Sequence, residues 1–213
     1  MADELQLAQD LSARTGILWT PQLTPLALRL DAAGGWITVV QAVTLRQLLE
    51  DWDTCAAVTP EALRIRLARS DAGYPVARPV WDGVCQVLGT QAGTAFRALR
   101  ADELPGDPAA WWDRATDQTA RAPDTFHETG ASWQGPDGAA AAWAFAAHTS
   151  QEHPVVVCCP LREYGVVIHT ADNPVGVAQA ARTHADPATG LLADALVIDH
   201  GTVVRVWHAM DAA

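Results

Sequence analysis

The sequence predicts an α+β protein, with a mixed N-terminal part and a C-terminal antiparallel sheet covered by a helix. Helical and strand-like hydrophobic patterns follow one another as far as residue 103. Valine-rich runs dominate the last third, and one helical segment interrupts them. Strands that run consecutively before and after a single helix are typical of an antiparallel sheet with one covered face.

The first elements are a helix and a strand pair. Asp3 caps a helix that extends to about Arg14, and Gly16 ends it. The residues expected to face inward are Leu5, Ala8 and Leu11. Leucines alternate through 26–30 and turn residues fill 31–35, so a strand, a turn and a returning strand at 36–43 are predicted.

A second helix begins after Thr44, which forms a capping-box pattern with Gln47. Its apolar residues recur at i, i+3, i+4 and i+7: Leu45, Leu48, Leu49 and Trp52. The Thr59-Pro60 pair favours another helix start, although residues 63–67 alternate as in a strand. We interpret 63–67 as helix, and 79–102 as helical as well.

The chain divides into three segments: 1–103, 104–138 and 139–213, which can also form one compact unit. The middle segment is bounded by proline and glycine, and Asp107-Pro108 predicts one helix within it. Trp111 and Trp112 lie on that helix. We therefore interpret 104–138 as a tryptophan-containing connector.

The last third predicts three hairpins and a helix. Residues 133–134 and 139–145 flank a Gly-Pro-Asp-Gly turn. Valine-rich runs at 154–159 and 165–170 form the second pair, and 194–198 with 202–208 flank His200-Gly201 as the third. Asn173-Pro174 predicts a helix to about His184.

Composition excludes several classes of protein. A chain of 213 residues buries about 70% of its surface and needs no disulfide or metal to build a core. The formal charge of −11 disfavours duplex DNA and anionic membranes as partners. Four cysteines, an acidic start unlike a secretory signal and no long apolar run predict a cytoplasmic protein. Alanine is abundant and all 14 basic residues are arginine, as in a GC-rich bacterium.

Recognisable catalytic signatures are absent from the sequence. It contains no G-x-G-x-x-G, no G-x-S-x-G and no lysine, and His127-Glu128 lacks the second histidine of a zinc-protease helix. Cys158 and Cys159 alternate on a strand and so point to opposite faces. A metal or thiol site would therefore use His153, Cys158 and His169, with His148 nearby. We expect no cofactor and no metal.

Acidic and basic clusters have ordinary explanations. Glu50, Asp51 and Asp53 are expected to be solvated at a helix end. The arginines between residues 64 and 100 are expected to line a solvated helix face, balanced by Glu61, Asp71 and Asp82.

Nine tryptophans are many for an acidic chain of this length. Trp19, Trp36, Trp52 and Trp81 lie on apolar faces and are expected in the core. Connector residues Trp111 and Trp112, with Trp133, are candidates for contact with another protein, because tryptophan is enriched at binding hot spots. The leading hypothesis is a non-catalytic interaction protein of the adaptor, chaperone or inhibitor type, with self-association left open. The alternatives are a small metal- or thiol-dependent enzyme and a ligand-binding module with a tryptophan-lined pocket.

Overall fold

The computed structural model describes residues 2–23, 28–39, 44–104, 106–121, 127–129, 132–135, 142–143, 145–146, 155–161, 164–169, 195–200 and 202–207. Within these residues the chain forms three α-helices of 12 to 14 residues and two antiparallel sheets, which confirms the α+β class. The helices are α1 (Ala2–Thr15), α2 (Leu45–Ala56) and α3 (Pro108–Ala120). No helix in the described part is long and apolar enough to cross a membrane.

The larger sheet contains seven strands from the first half of the chain. They are β1 (Thr20–Leu23), β2 (Leu28–Ala32), β3 (Gly35–Val39), β4 (Leu63–Arg69), β5 (Ala77–Trp81), β6 (Val84–Ala92) and β7 (Ala95–Ala98). Their order is β1-β2-β3-β7-β6-β4, and β5 pairs with β6. Strand β4 pairs with β6 along its whole length, while β5 and β7 follow each other along the opposite edge of β6.

Helices α1 and α2 cover one face of this sheet. Leu30 and Ile37 are opposite each other on β2 and β3, and both pack against Leu11 of α1 and Leu48 of α2. Two capping predictions are confirmed: the Thr44 side chain accepts a hydrogen bond from the backbone N–H of Gln47, and α1 ends before Gly16 at φ +70°. The cap predicted at Asp3 is wrong, because α1 already begins at Ala2. Ala8 and Leu11 are buried as expected, but Leu5 is 52% exposed and that assignment is wrong.

The helices predicted at 63–67 and 79–102 are wrong, because these segments are strands β4, β5, β6 and β7. Thr59 begins a turn, closed by a hydrogen bond from the backbone N–H of Ala62 to its carbonyl at 3.2 Å. Alternation of the apolar residues in β4 was therefore the better signal. In β6 every residue from Val84 to Thr90 is buried, so its sequence lacks the alternation of apolar and polar residues that would distinguish a strand from a helix.

The second sheet contains β8 (His127–Thr129), β9 (Ser132–Gly135), β10 (Val155–Leu161), β11 (Tyr164–His169), β12 (Ala195–Asp199) and β13 (Thr202–Trp207). Its order is β13-β12-β10-β11-β9-β8. The predicted β10–β11 and β12–β13 pairs are confirmed, and His200 turns the latter hairpin at φ +46°. The segment from Asn173 to His184 lies outside the described residues.

The strand predicted at 139–145 is wrong. Residues 142–143 and 145–146 are helical, and β9 pairs instead with β8 and β11. This segment is rich in alanine, the residue with the highest intrinsic helix propensity, and that preference outweighs the turn-like sequence before it.

One apolar cluster joins elements of the two sheets. Leu67 of β4 and Val84 of β6 lie in the same buried cluster as Trp143, Leu196 and Ile198. The indole N–H of Trp143 donates to the backbone carbonyl of Ala120 at the end of α3, at 3.2 Å. Helix α3 therefore contacts both the larger sheet and the elements that follow it.

Candidate functional site

Three of the tryptophans expected in the core are buried there. The rings of Trp19 and Trp52 meet edge to face, with centroids 4.6 Å apart between α2 and the sheet. Trp36 lies on the opposite face of the sheet against Phe96, at 4.5 Å between ring centroids. Trp81 is half-buried. Trp19, Trp36 and Trp52 therefore fill the interior on both faces of the larger sheet.

The connector helix α3 was predicted correctly and carries the tryptophan pair. Asp107 caps it by accepting a hydrogen bond from the backbone N–H of Ala109 at 2.9 Å, and Pro108 occupies the first turn. Trp111 and Trp112 are both half-buried against the same cluster of Leu63, Ile65, Leu88, Leu99 and Ala115. The two rings therefore share one role: each has a buried side against the sheet and an exposed part.

Helix α3 is fixed to the edge of the larger sheet by a buried hydroxyl. Thr119 accepts a hydrogen bond from the backbone N–H of Ile65 on β4 at 2.9 Å, and donates one to the carbonyl of Ala115 at 2.7 Å. All three residues are nearly inaccessible to solvent. Because β4 ends the order of described strands, this bond satisfies a donor that would otherwise have no ladder partner.

Arg78 of β5 extends over the ring of Trp112. Its guanidinium carbon lies 4.3 Å from the centroid of the Trp112 ring, a cation–π geometry, and its Nε donates to Oε1 of Gln86 at 2.6 Å. Gln86 is buried on β6, directly opposite Arg78 in the ladder. Partial burial lowers the pKa of Arg78, and the nearby carboxylate of Asp113 acts in the opposite direction.

These residues form one continuous surface, which we call the β5–α3 surface: Val76, Arg78, Trp111 and Trp112. Val76 packs against the same buried cluster as the two tryptophans, and Arg78 connects the strand to the helix. Arg78 is exposed, whereas the apolar members are half-buried. The surface thus combines aromatic rings and a guanidinium on a rigid support.

Cys158 and His169, which were predicted to share a metal or thiol site, lie apart in the register of their strands. In the β10–β11 ladder His169 is opposite Val155, and Cys158 is opposite Val166, so three register positions separate Cys158 from His169. That separation is about 10 Å along a strand. His148 and His153 lie outside the described residues. Trp133, the third interaction candidate, lies on β9 of the second sheet, opposite Val167.

Cys55 of α2 and Cys85 of β6 are buried thiols. Cys55 is fully inaccessible and its Sγ donates to the carbonyl of Ala95 at 3.0 Å. Burial raises the pKa of Cys55 to about 12 and also raises the pKa of Cys85. Neither thiol ionises near neutral pH, so neither is a nucleophile there. No group of three or more metal-binding side chains occurs in the described part of the chain.

Asp51 was expected to be solvated, and that expectation is wrong. Its carboxylate is buried between α2 and the β6–β7 turn, where Oδ2 accepts hydrogen bonds from the backbone N–H and the hydroxyl of Thr94, both at 3.0 Å. Oδ1 accepts from Nε2 of Gln47 at 2.8 Å. Gly93 closes the turn at φ +49°, and a Cβ there would overlap this carboxylate. Asp51 therefore anchors a turn.

Of the arginines expected on a solvated helix face, all but Arg100 lie on strands instead: Arg64, Arg66, Arg69, Arg78 and Arg97. Arg66 of β4 is buried, with its guanidinium 6.0 Å from the centroid of Phe96, and Arg29 of β2 is buried 4.5 Å from that of Trp36. The ring of Phe96 crosses over Gly89 of β6, where a side chain would overlap it. Each of the two guanidiniums thus lies over an aromatic ring on the face of the sheet opposite α1 and α2, which explains why both arginines are buried there.

Sequence reasoning identified Trp111 and Trp112 but missed Arg78 and the strand that presents it. The missed signal was the dipeptide Asp82-Gly83, a hairpin turn in which Gly83 has φ +71°. Searches of protein-family models, of curated proteins and of solved structures found no match.

Proposed function

We propose that this chain is a non-catalytic interaction module that binds a second protein through the β5–α3 surface. The observation that carries the proposal is the exposed guanidinium of Arg78 stacked on the half-buried ring of Trp112. Tryptophan and arginine dominate the energy of protein–protein interfaces, where a few well-supported anchors carry most of the affinity.

The support beneath this surface favours binding without rearrangement. Trp111 and Trp112 pack on fully buried residues, and Thr119 ties α3 to β4. A rigid anchor loses little conformational entropy on binding, so more of its contact energy contributes to affinity.

Side-chain docking, and not strand addition, is the mode that β5 favours. In the described part of the chain β5 pairs only with β6, which leaves its outer edge available. Pro79 interrupts that edge because proline has no N–H to donate, and an edge proline is a known protection against strand addition. The partner therefore contacts the side chains of the surface.

A catalytic function has less support among the described residues. Cys55 and Cys85 are unionised at neutral pH, and the carboxylate of Asp51 is occupied by a turn. Cys158 and His169 are not cross-strand neighbours. We also propose a cytoplasmic location, since Cys55 and Cys85 are free thiols, and we expect no binding to duplex DNA at a net charge of −11.

The test measures the affinity of a partner that co-purifies with the chain from its native host and is then identified and purified. Trp112→Ala should weaken binding by about 2 kcal/mol or more, as expected for a hot spot. Trp111→Ala and Trp133→Ala are compared in the same assay. Because truncating a half-buried tryptophan also lowers stability, Ala109→Gln provides a second variant at an exposed position one turn before Trp112.

Ala13→Gln, at an exposed position of α1, is the matched control for Ala109→Gln. The proposal predicts that Ala109→Gln weakens binding while Ala13→Gln leaves it unchanged, with both variants melting as the unchanged chain does. Equal affinities for the two variants would contradict the proposed surface. Self-association that Ala109→Gln abolishes would contradict a second protein as partner and identify another copy of the chain instead.

A further inference from the structure

The guanidinium of Arg78 is held in place before any partner arrives. Its Nε donates to the buried amide oxygen of Gln86 at 2.6 Å, and its guanidinium carbon lies 4.3 Å from the centroid of the Trp112 ring. Arg69 and Arg100 are occupied differently, since each forms a two-bond pair with an aspartate two residues later. Among the described residues, Arg78 is therefore a cation that two contacts hold in place and that no carboxylate is bonded to.

The end of the guanidinium has no partner among the described residues. Within the described part of the chain Nη1 and Nη2 of Arg78 make no hydrogen bond, and the residue is exposed. A guanidinium offers a carboxylate two parallel N–H donors along one edge, and this paired geometry is stronger and more specific than a single bond. Since Nε is already engaged, the Nη1–Nη2 edge is the one that can bind in this way.

We propose that Arg78 binds an aspartate or glutamate side chain of the partner protein through its Nη1–Nη2 edge. This inference rests on the proposed function and specifies the chemistry of the partner. The acidic net charge of the chain does not oppose it, because charges farther than about 8–10 Å are screened at physiological salt. The strength of an ion pair in direct contact therefore depends on the charged groups within that distance.

Three features favour a side-chain carboxylate over other anions. Arg78 supplies a single positive charge and Asp113 lies close to it, which disfavours a doubly charged phosphate. A C-terminal carboxylate is usually captured by several backbone N–H groups. The neighbouring Pro79 has no such group to offer.

The test uses the full chain labelled with ¹⁵N and does not require the partner. N-acetyl-glutamate N-methylamide is titrated in, with the corresponding glutamine compound and inorganic phosphate as comparison ligands. The readouts are the Nε–Hε signal of Arg78, which Gln86 protects from exchange, and the indole N–H signal of Trp112. We expect both signals to shift with the glutamate compound and to stay unchanged with the glutamine compound.

Arg78→Lys retains the charge but loses the planar pair of donors, so it should weaken binding of the glutamate compound about tenfold. Arg114→Ala removes one positive charge from an exposed position of α3 and should change it little. Absence of shifts, equal shifts with both amino-acid compounds, tighter binding of phosphate, or equal losses in the two variants would each overturn the assignment. A partner that binds through Trp112 but is indifferent to Arg78→Lys would overturn this inference alone and leave the proposed function standing.

Discussion

Replacing Thr119 by valine tests whether α3 is bonded to the edge of the larger sheet. The change is nearly isosteric, but it removes the only oxygen that accepts from the backbone N–H of Ile65 in the described structure. An unsatisfied buried donor costs about 1–3 kcal/mol, and the added methyl group recovers at most about 0.8 kcal/mol. We therefore expect a net loss of about 1–2 kcal/mol. For a chain of this size, that loss lowers the melting temperature by about 2–8 °C.

Thr116→Val is the matched control on the same helix. The Thr116 hydroxyl donates to the carbonyl of Trp112 at 2.8 Å and has no partner on β4 in the described structure. Its loss should stay within about 0.5 kcal/mol. Urea denaturation gives both free energies of unfolding, and hydrogen exchange should show faster opening at the Ile65 amide in Thr119→Val. If Thr119→Val is no less stable than Thr116→Val, α3 does not seal this edge as we describe.

Three further predictions concern the interior of the larger sheet. Gly89→Ala should destabilise the fold by about 3 kcal/mol, because a Cβ would overlap the Phe96 ring and lie 2.5 Å from the Arg97 carbonyl oxygen. The control is Gly16→Ala, which has open space around it but φ +70° and should cost only about 1 kcal/mol in the same thermal melts. Equal losses of stability in the two variants would refute the contact between Gly89 and Phe96. Arg97→Gln should lower the free energy of unfolding by about 1–2 kcal/mol, since Arg97 donates to the last carbonyls of α2 and pairs with the half-buried Glu103. Arg100→Gln, which breaks an exposed ion pair, should lower it by less than about 0.5 kcal/mol. The pKa of Cys55 is raised to about 12 on folding from an ordinary value of 9.0, so its stabilising contribution is complete below pH 9 and is lost as pH rises towards 12. Iodoacetamide at pH 8 should therefore leave Cys55 unmodified in the native chain and modify it in urea. Rapid labelling of the native chain would contradict the burial of Cys55.

Helix boundaries set by local chemistry were predictable from the sequence. Thr44 caps α2 and Asp107 caps α3 through hydrogen bonds to residues two or three positions later, so each signal is contained in a short stretch of sequence. The same reasoning failed at Thr59-Pro60, because a turn and a helix N-terminus use the same residues. Only the alternation in β4 distinguishes them.

Strand β6 and the candidate site depend on contacts distant in sequence. A central strand buried on both faces shows no alternation, so Val84–Ala92 resembled a helix. The stacking of Arg78 on Trp112 depends on the register of β5 against β6 and on the docking of α3, neither of which leaves a local pattern. The burial of Asp51 likewise depends on a turn that contains Thr94.

The most direct test of the proposed function is site-specific photo-crosslinking in the native host. A photoreactive phenylalanine is placed at position 109, on the β5–α3 side of α3, and separately at position 13 of α1; both positions are exposed alanines. We predict that position 109 yields a covalent adduct with the partner that co-purifies with the chain, that position 13 does not, and that Trp112→Ala reduces the yield at 109. The same adduct at equal yield from both positions, or a yield at 109 unchanged by Trp112→Ala, would contradict binding through this surface.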